Sequence, residues 1–156
     1  YESGILGDLL PDLTAFIDRS GGKRSSTFKY LKTLDEYEKM MSSRGFEVSN
    51  GLRAAVLMTG MYRNEKKEGA GRAIMQKMHE SLKPPKVVYF TALLLMESTR
   101  RLSQAPTKGK RRFVYNRDFL DALDYNRIVL RAENRSENIL NEWAKLYEEK
   151  GNTYEP

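Results

Sequence analysis

The chain has 156 residues, 27 of them Lys or Arg and 21 Asp or Glu, for a net charge of +6. That length suits a single domain with a proper core, and the absence of cysteine excludes disulfides and thiolate metal sites. The longest apolar run, VVYFTALLLM at residues 87–96, is about half of the ~20 residues a membrane span needs, so a buried helix is expected there and no transmembrane segment.

Apolar residues recur at helical spacing along nearly the whole chain, and strand-like alternation is scarce. The expected architecture is all-α: one domain over residues 1–156, a bundle of about seven helices with no significant sheet. A first helix is predicted over 3–18, with Ile5, Leu9, Leu13 and Phe16 on one side and Pro11 bending or splitting it. SGGKRSS at 20–26 is a loop. It lacks the upstream glycine and the strand of a phosphate-binding loop. A second helix is predicted over 27–43 on Phe28, Leu31, Leu34, Tyr37 and Met41, ended by Gly45. Ser49 caps a third over 50–63, apolar on most sides and therefore central. Residues 64–71 form an exposed loop, and a fourth helix runs to about Leu82. Pro84 and Pro85 start a fifth, expected to be the most buried, which runs to Leu102.

The next stretch holds the charge. Residues 100–117 contain seven basic residues (Arg100, Arg101, Lys108, Lys110, Arg111, Arg112 and Arg117) and no acidic one. Take these seven from the 27 and the rest of the chain has 20 basic against 21 acidic residues, a net of −1. One segment therefore carries the basic character, the signature of an anionic partner or else of a solvated loop. Arg100 and Arg101 fall in the last turn of the fifth helix, Lys108 to Arg112 in the loop, and Arg117 at the start of the next helix. Phe113 and Tyr115 stand beside the cations, a combination that suits single-stranded nucleic acid, although core packing is the favoured role for Phe113.

Asn116 is predicted to cap a sixth helix, with Phe119, Ala122, Leu123, Val129 and Leu130 on one face. Asn134 and Glu137 resemble a capping box for a seventh, where Ile139, Trp143, Leu146 and Tyr147 turn inward. Arg127, Arg131 and Arg135 form a stripe on the sixth, either a solvated face or an RNA track, with Asp124 placed to pair with Arg127.

No catalytic constellation emerges. Glu36 and Glu38 point apart, a solvated helix surface explains Asp121 and Asp124, and nothing around the single histidine, His79, suggests an activated nucleophile. The catalytic and metal sets are therefore empty, and no cofactor is expected for this chain.

The later half, KPPKVVYFTALLLMESTRRL followed by KGKRRFVYNRDFLDALDYNRIVLRAEN, resembles the C-terminal region of bacterial poly(A) polymerases, in the class II tRNA nucleotidyltransferase superfamily. The resemblance rests on Pro85-Lys86, on Lys110-Arg111-Arg112, and on Phe119, Ala122, Leu130, Arg131 and Ala132. SGILGDLLPDL is similar to a helix of the family, with Leu10 where Phe is common, and SNGLRAAVLMTGMY to its buried helix. The family's Gly-rich and Asp-x-Asp motifs are missing, and an arginine-rich tail seen in some members is absent. The resemblance implies a C-terminal fragment of a longer, cytoplasmic enzyme whose head adds AMP from ATP to RNA 3′ ends with Mg²⁺. The fragment would help hold RNA, through Lys108, Lys110, Arg111 and Arg112 first, then Arg100, Arg101, Arg117, Lys86 and Tyr115. An RNA helicase is an implied partner. Two rivals stand beside this reading: the tail of a tRNA CCA-adding enzyme, and a helical module docking on an acidic protein.

Overall fold

The computed structural model describes residues 26–64, 86–109 and 111–151. Among them are five α-helices, α1 (Ser26–Ser43), α2 (Asn50–Asn64), α3 (Lys86–Leu102), α4 (Phe119–Ala132) and α5 (Asn138–Gly151), and a 3₁₀ helix (Arg111–Tyr115) before α4. The described residues contain no strand. The helices predicted over 3–18 and up to Leu82 lie outside the described residues, as do Pro84, Pro85, His79 and Lys110.

The second helix of this set is the hub. α2 packs against α1, α3 and α4, as its apolar surface requires, and Leu52, Ala55, Val56 and Met58 are all buried. Its position is fixed at its first turn. The Ser49 hydroxyl accepts a hydrogen bond from the Leu52 amide (3.1 Å) and donates one to Asp121 of α4 (2.9 Å). One side chain thus caps α2 and ties it to a neighbour. Gly51 allows the close crossing with α3. A Cβ there would lie 2.6 Å from Thr91 Cγ2 and 2.9 Å from Thr91 Cβ.

Buried polar groups link the helices further. The Thr59 hydroxyl donates to the Ala55 carbonyl and shares a hydrogen bond with the Tyr125 hydroxyl of α4. Asn126 of α4 donates to the Ser98 hydroxyl of α3 (3.0 Å) and to the Ala122 carbonyl (2.7 Å). These bonds remove the cost of leaving buried donors unsatisfied, about 1–3 kcal/mol each.

Helix ends explain where the sequence reading succeeds and where it fails. Gly45 has φ +80°. Its amide reaches the Ser42 carbonyl and that of Phe46 reaches Met41, the double bond that closes a helix on a left-handed residue. Asn134, expected to open α5, does the same for α4. It has φ 53°, and the amides of Asn134 and Arg135 return to Arg131 and Leu130. Ser136 serves the start of α5 by accepting from the Asn138 amide. Asn116 also differs from expectation. Its side chain accepts from the Asp118 amide (2.9 Å) within the turn before α4, and Asp118 occupies the cap position without a side-chain bond.

Two burial expectations are corrected and one buried residue is added. α3 is not the most buried helix: Ala92, Leu95, Ser98 and Leu102 face inward, whereas Val87 (71%), Phe90 (58%) and Leu94 (53%) are exposed. Its apolar run is wider than the one face its neighbours cover. Ile139 is exposed, and Leu140 is buried in α5 in its place. Tyr30, overlooked in the sequence, is buried in α1 with its hydroxyl on the Glu133 carboxylate (3.0 Å).

Gly51→Ala is expected to destabilise the fold by about 1–3 kcal/mol, because Thr91 Cβ cannot rotate away as a flexible chain end could. Urea denaturation followed by circular dichroism measures this. An unchanged midpoint would mean that the α2–α3 crossing is looser than described.

Candidate nucleic-acid interface

The basic segment is held from below by aromatic rings. Leu102 is buried at the end of α3, and Val114 is buried within the 3₁₀ helix. Between them, the Trp143 indole of α5 donates to the Gln104 carbonyl (2.9 Å). Phe113 stands edge-on to Phe119 (5.6 Å between ring centres) and to Trp143 (6.2 Å). Phe119 stacks on Tyr147 at 5.4 Å. Phe113 is therefore a packing residue, as favoured from the sequence, and Trp143 and Phe119 are fully buried beneath it.

Phe113 also positions a cation. The Arg101 guanidinium lies over its ring, 4.7 Å from the centre, a contact of roughly 0.5–1 kcal/mol at an exposed site. In a 3₁₀ helix, residues three apart eclipse each other, so Arg112 and Tyr115 share a side. Arg101, Arg112, Phe113, Tyr115 and Asn116 line one open recess of about 540 Å³. Tyr115 is 48% exposed there.

Of the other residues singled out in the sequence, Arg100 sits beside Arg101 in the last turn of α3. Lys108 and Arg111 are exposed on the same connection. Arg117 is almost fully exposed, 4.0 Å from the Asp118 carboxylate, in the turn before α4 rather than in its first turn. Lys86 does not join the cluster. It begins α3, and at about 1.5 Å per residue it lies roughly 22 Å from Arg101 along the axis.

Side chains not singled out for this role complete the surroundings. Arg100 and Arg101 also border a groove of about 410 Å³ whose walls include Glu97, Gln104, Asn116 and Asp118. Lys150 of α5 lines a smaller recess, about 220 Å³, on another side of Tyr115. Helix periodicity could have put Glu97 and Arg101 on one face, but no local signal brings residues 97 and 116 together.

The Arg127 stripe takes a different form. Arg127 (3.0 Å) and Arg131 (3.0 Å) both grip the Glu137 carboxylate of the neighbouring segment. Arg127 also donates to Asn141, and the Arg131 guanidinium lies 5.4 Å from the centre of the Tyr37 ring. Arg135 lies past the end of α4, 3.7 Å from Glu133. Arg127 and Arg131 thus join α4 to α5. Asp121 and Asp124 are not a solvated pair either. Asp121 accepts from Ser49 and Asp124 from the Tyr37 hydroxyl, so Asp124 bonds Tyr37 rather than Arg127. Burial pushes the Asp124 carboxyl above its ordinary range despite that hydrogen bond. Burial and the bond to Asp124 together raise the Tyr37 phenol. At Glu137 burial works against the charge, but the hydrogen bonds from Arg131 and Arg127 outweigh it and hold the carboxyl below its usual value.

Among the described residues no three His, Cys, Asp or Glu side chains come together as metal ligands, and no helix is long and apolar enough to cross a membrane. No protein-family model, curated protein or solved structure matches this chain.

Because the folded-state pKa of Glu137 is lowered, its contribution to stability is complete above the ordinary value of 4.5 and is lost as the pH falls through and below it. Asp124, raised, contributes in the opposite sense. Glu137→Gln is therefore expected to lower stability at pH 7 and to flatten the acid side of the stability curve. Denaturation midpoints measured from pH 7 to pH 3 check this. Parallel curves for the two proteins would mean that the clamp carries no pH dependence.

Proposed function

We propose that this chain is an RNA-binding helical region from the C-terminal part of a template-independent poly(A) polymerase, whose separate head would add AMP from ATP to RNA 3′ ends. One observation carries the binding half of this reading. Arg53, Arg127, Arg131 and Arg135 each face a carboxylate, whereas Arg100, Lys108, Arg111 and Arg112 are exposed in one connection with no acidic partner among the described residues, and Arg112 lines a recess with Arg101 and the exposed Tyr115. Such cations gain most from phosphates, and a ring beside them accepts an unpaired base. Backbone contacts of this kind position a strand without reading its sequence. The poly(A) polymerase parentage rests on the resemblance of Pro85-Lys86, Lys110-Arg111-Arg112 and residues 119–132. ATP and Mg²⁺ would belong to that head.

A second reading, a module that docks on an acidic protein such as an RNA helicase, is favoured by the exposed Val87, Phe90 and Leu94 on α3. This stripe runs toward the Arg100 end of the helix, so an acidic amphipathic segment would match both.

About five phosphate contacts to a single-stranded oligoribonucleotide would give a log–log salt slope of roughly −3 to −4. Replacing Lys108, Arg111 and Arg112 together by Ala is expected to flatten that slope by about 2, with stability nearly unchanged because all three are exposed. Fluorescence anisotropy across a salt series measures both. An unchanged affinity and slope in the triple variant would remove the RNA reading for this segment and favour protein docking.

A further inference from the structure

We infer that the groove between α3 and the turn before α4 is a nucleobase pocket that prefers bases carrying an exocyclic amine. This goes beyond backbone gripping and rests on the RNA reading above. The argument starts from the spacing of α3. Leu94, Glu97, Ser98 and Arg101 fall at i, i+3, i+4 and i+7, so they share one helix face, and all four border the groove. Across from them stand Phe113, Asn116 and Asp118, with Ala122 of α4. The space, about 410 Å³, exceeds what one base needs.

Two features distinguish this groove from a general basic surface. First, it shares Arg101, Phe113 and Asn116 with the open recess that also holds Arg112 and Tyr115. The stacked Arg101–Phe113 pair is therefore a common wall. A strand whose phosphate meets Arg101 and Arg112 has one neighbouring base above Tyr115 and another within reach of the groove. Second, the groove carries carboxylates amid the basic segment. Glu97 and Asp118 border it together with the amides of Gln104 and Asn116. Carboxylates accept hydrogen bonds and cannot donate them at neutral pH. They repel phosphate, so they do not improve a backbone site. They do complement the amino groups of cytosine, adenine or guanine, as Glu and Asp accept from the cytosine amine in direct base readout. Uracil offers carbonyl oxygens where cytosine offers the amine, and it meets the same carboxylates unfavourably.

The sharpest comparison is oligo(rC) against oligo(rU) of equal length, with an abasic ribose-phosphate oligomer as the backbone-only reference. All are titrated into the full 156-residue chain by fluorescence anisotropy at one salt concentration. Oligo(rC) is expected to bind about tenfold more tightly than oligo(rU), the lower part of the range for one hydrogen-bonded base contact. The abasic oligomer is expected to bind no better than oligo(rU). In the double variant Glu97→Gln with Asp118→Asn, both oligomers are expected to bind more tightly because two negative charges are gone, while their ratio falls toward one. Circular dichroism confirms that the variant is folded. Equal affinity for all three oligomers in the wild-type chain would overturn the pocket and leave the backbone grip standing. A cytosine preference that survives intact in the folded double variant would also overturn it, because the carboxylates would not be its source. No binding to any of the three oligomers would overturn the pocket and the RNA reading together.

Discussion

The placement of the basic segment depends on the ring of Phe113. Cations crowded into one short connection repel one another, and nothing in their charges holds them in one arrangement. The repulsion is modest, about 1 kcal/mol for a pair 4 Å apart in water and less in salt. The opposing terms are larger. Phe113 meets Phe119 and Trp143 edge-on, each such pair contributing about 0.5–1.5 kcal/mol beyond its buried area. The Trp143 indole adds a hydrogen bond to the chain just past α3. Hydrophobic packing thus fixes the backbone, the backbone fixes Arg112 and Tyr115 on one side of the 3₁₀ helix, and the outer face of Phe113 seats Arg101. A strongly basic surface is held in shape by rings.

Arginines serve two purposes here, and their surroundings separate them. Arg127 and Arg131 converge on Glu137 and fasten α5 to α4. The surrounding helices are joined in a similar way, Ser49 to Asp121, Tyr37 to Asp124, Asn126 to Ser98. These links consume the polar groups of α4 that, as a bare sequence, looked like a solvated or RNA-facing stripe. The arginines at the end of α3 and in the 3₁₀ helix have no such partner among the described residues. The same residue type is a rivet in one place and an open hand in the other, depending on whether a neighbouring helix brings a carboxylate to it.

Much of the fold was legible because its signals are local. Gly45 and Ser49 mark helix ends through backbone geometry that a few residues decide, and both act as expected. Trp143 and Phe119 declare themselves by size and spacing. Asn134 misled because asparagine suits both a helix start and a left-handed helix end, and only the bonds to Leu130 and Arg131 choose between them. Val87 and Phe90 misled because periodicity reports which side is apolar, not whether a neighbour covers it. At the candidate site the cluster of charge was visible, since it is a property of the sequence. The stacking of Arg101 on Phe113, twelve positions apart, was not. Nor was the placement of Glu97 and Asp118 along one groove, which requires α3 and the turn before α4 to meet.

The central claim is that RNA lies across the aromatic-braced turn. Hydrogen exchange read at peptide resolution, with and without a ten-nucleotide single-stranded RNA, tests it most directly. The account predicts slowed exchange concentrated in residues 111–119, present at low salt and abolished at high salt, with α1 and α2 unaffected. Protection centred on residues 86–94 instead, or RNA binding that leaves 111–119 unchanged, would contradict it.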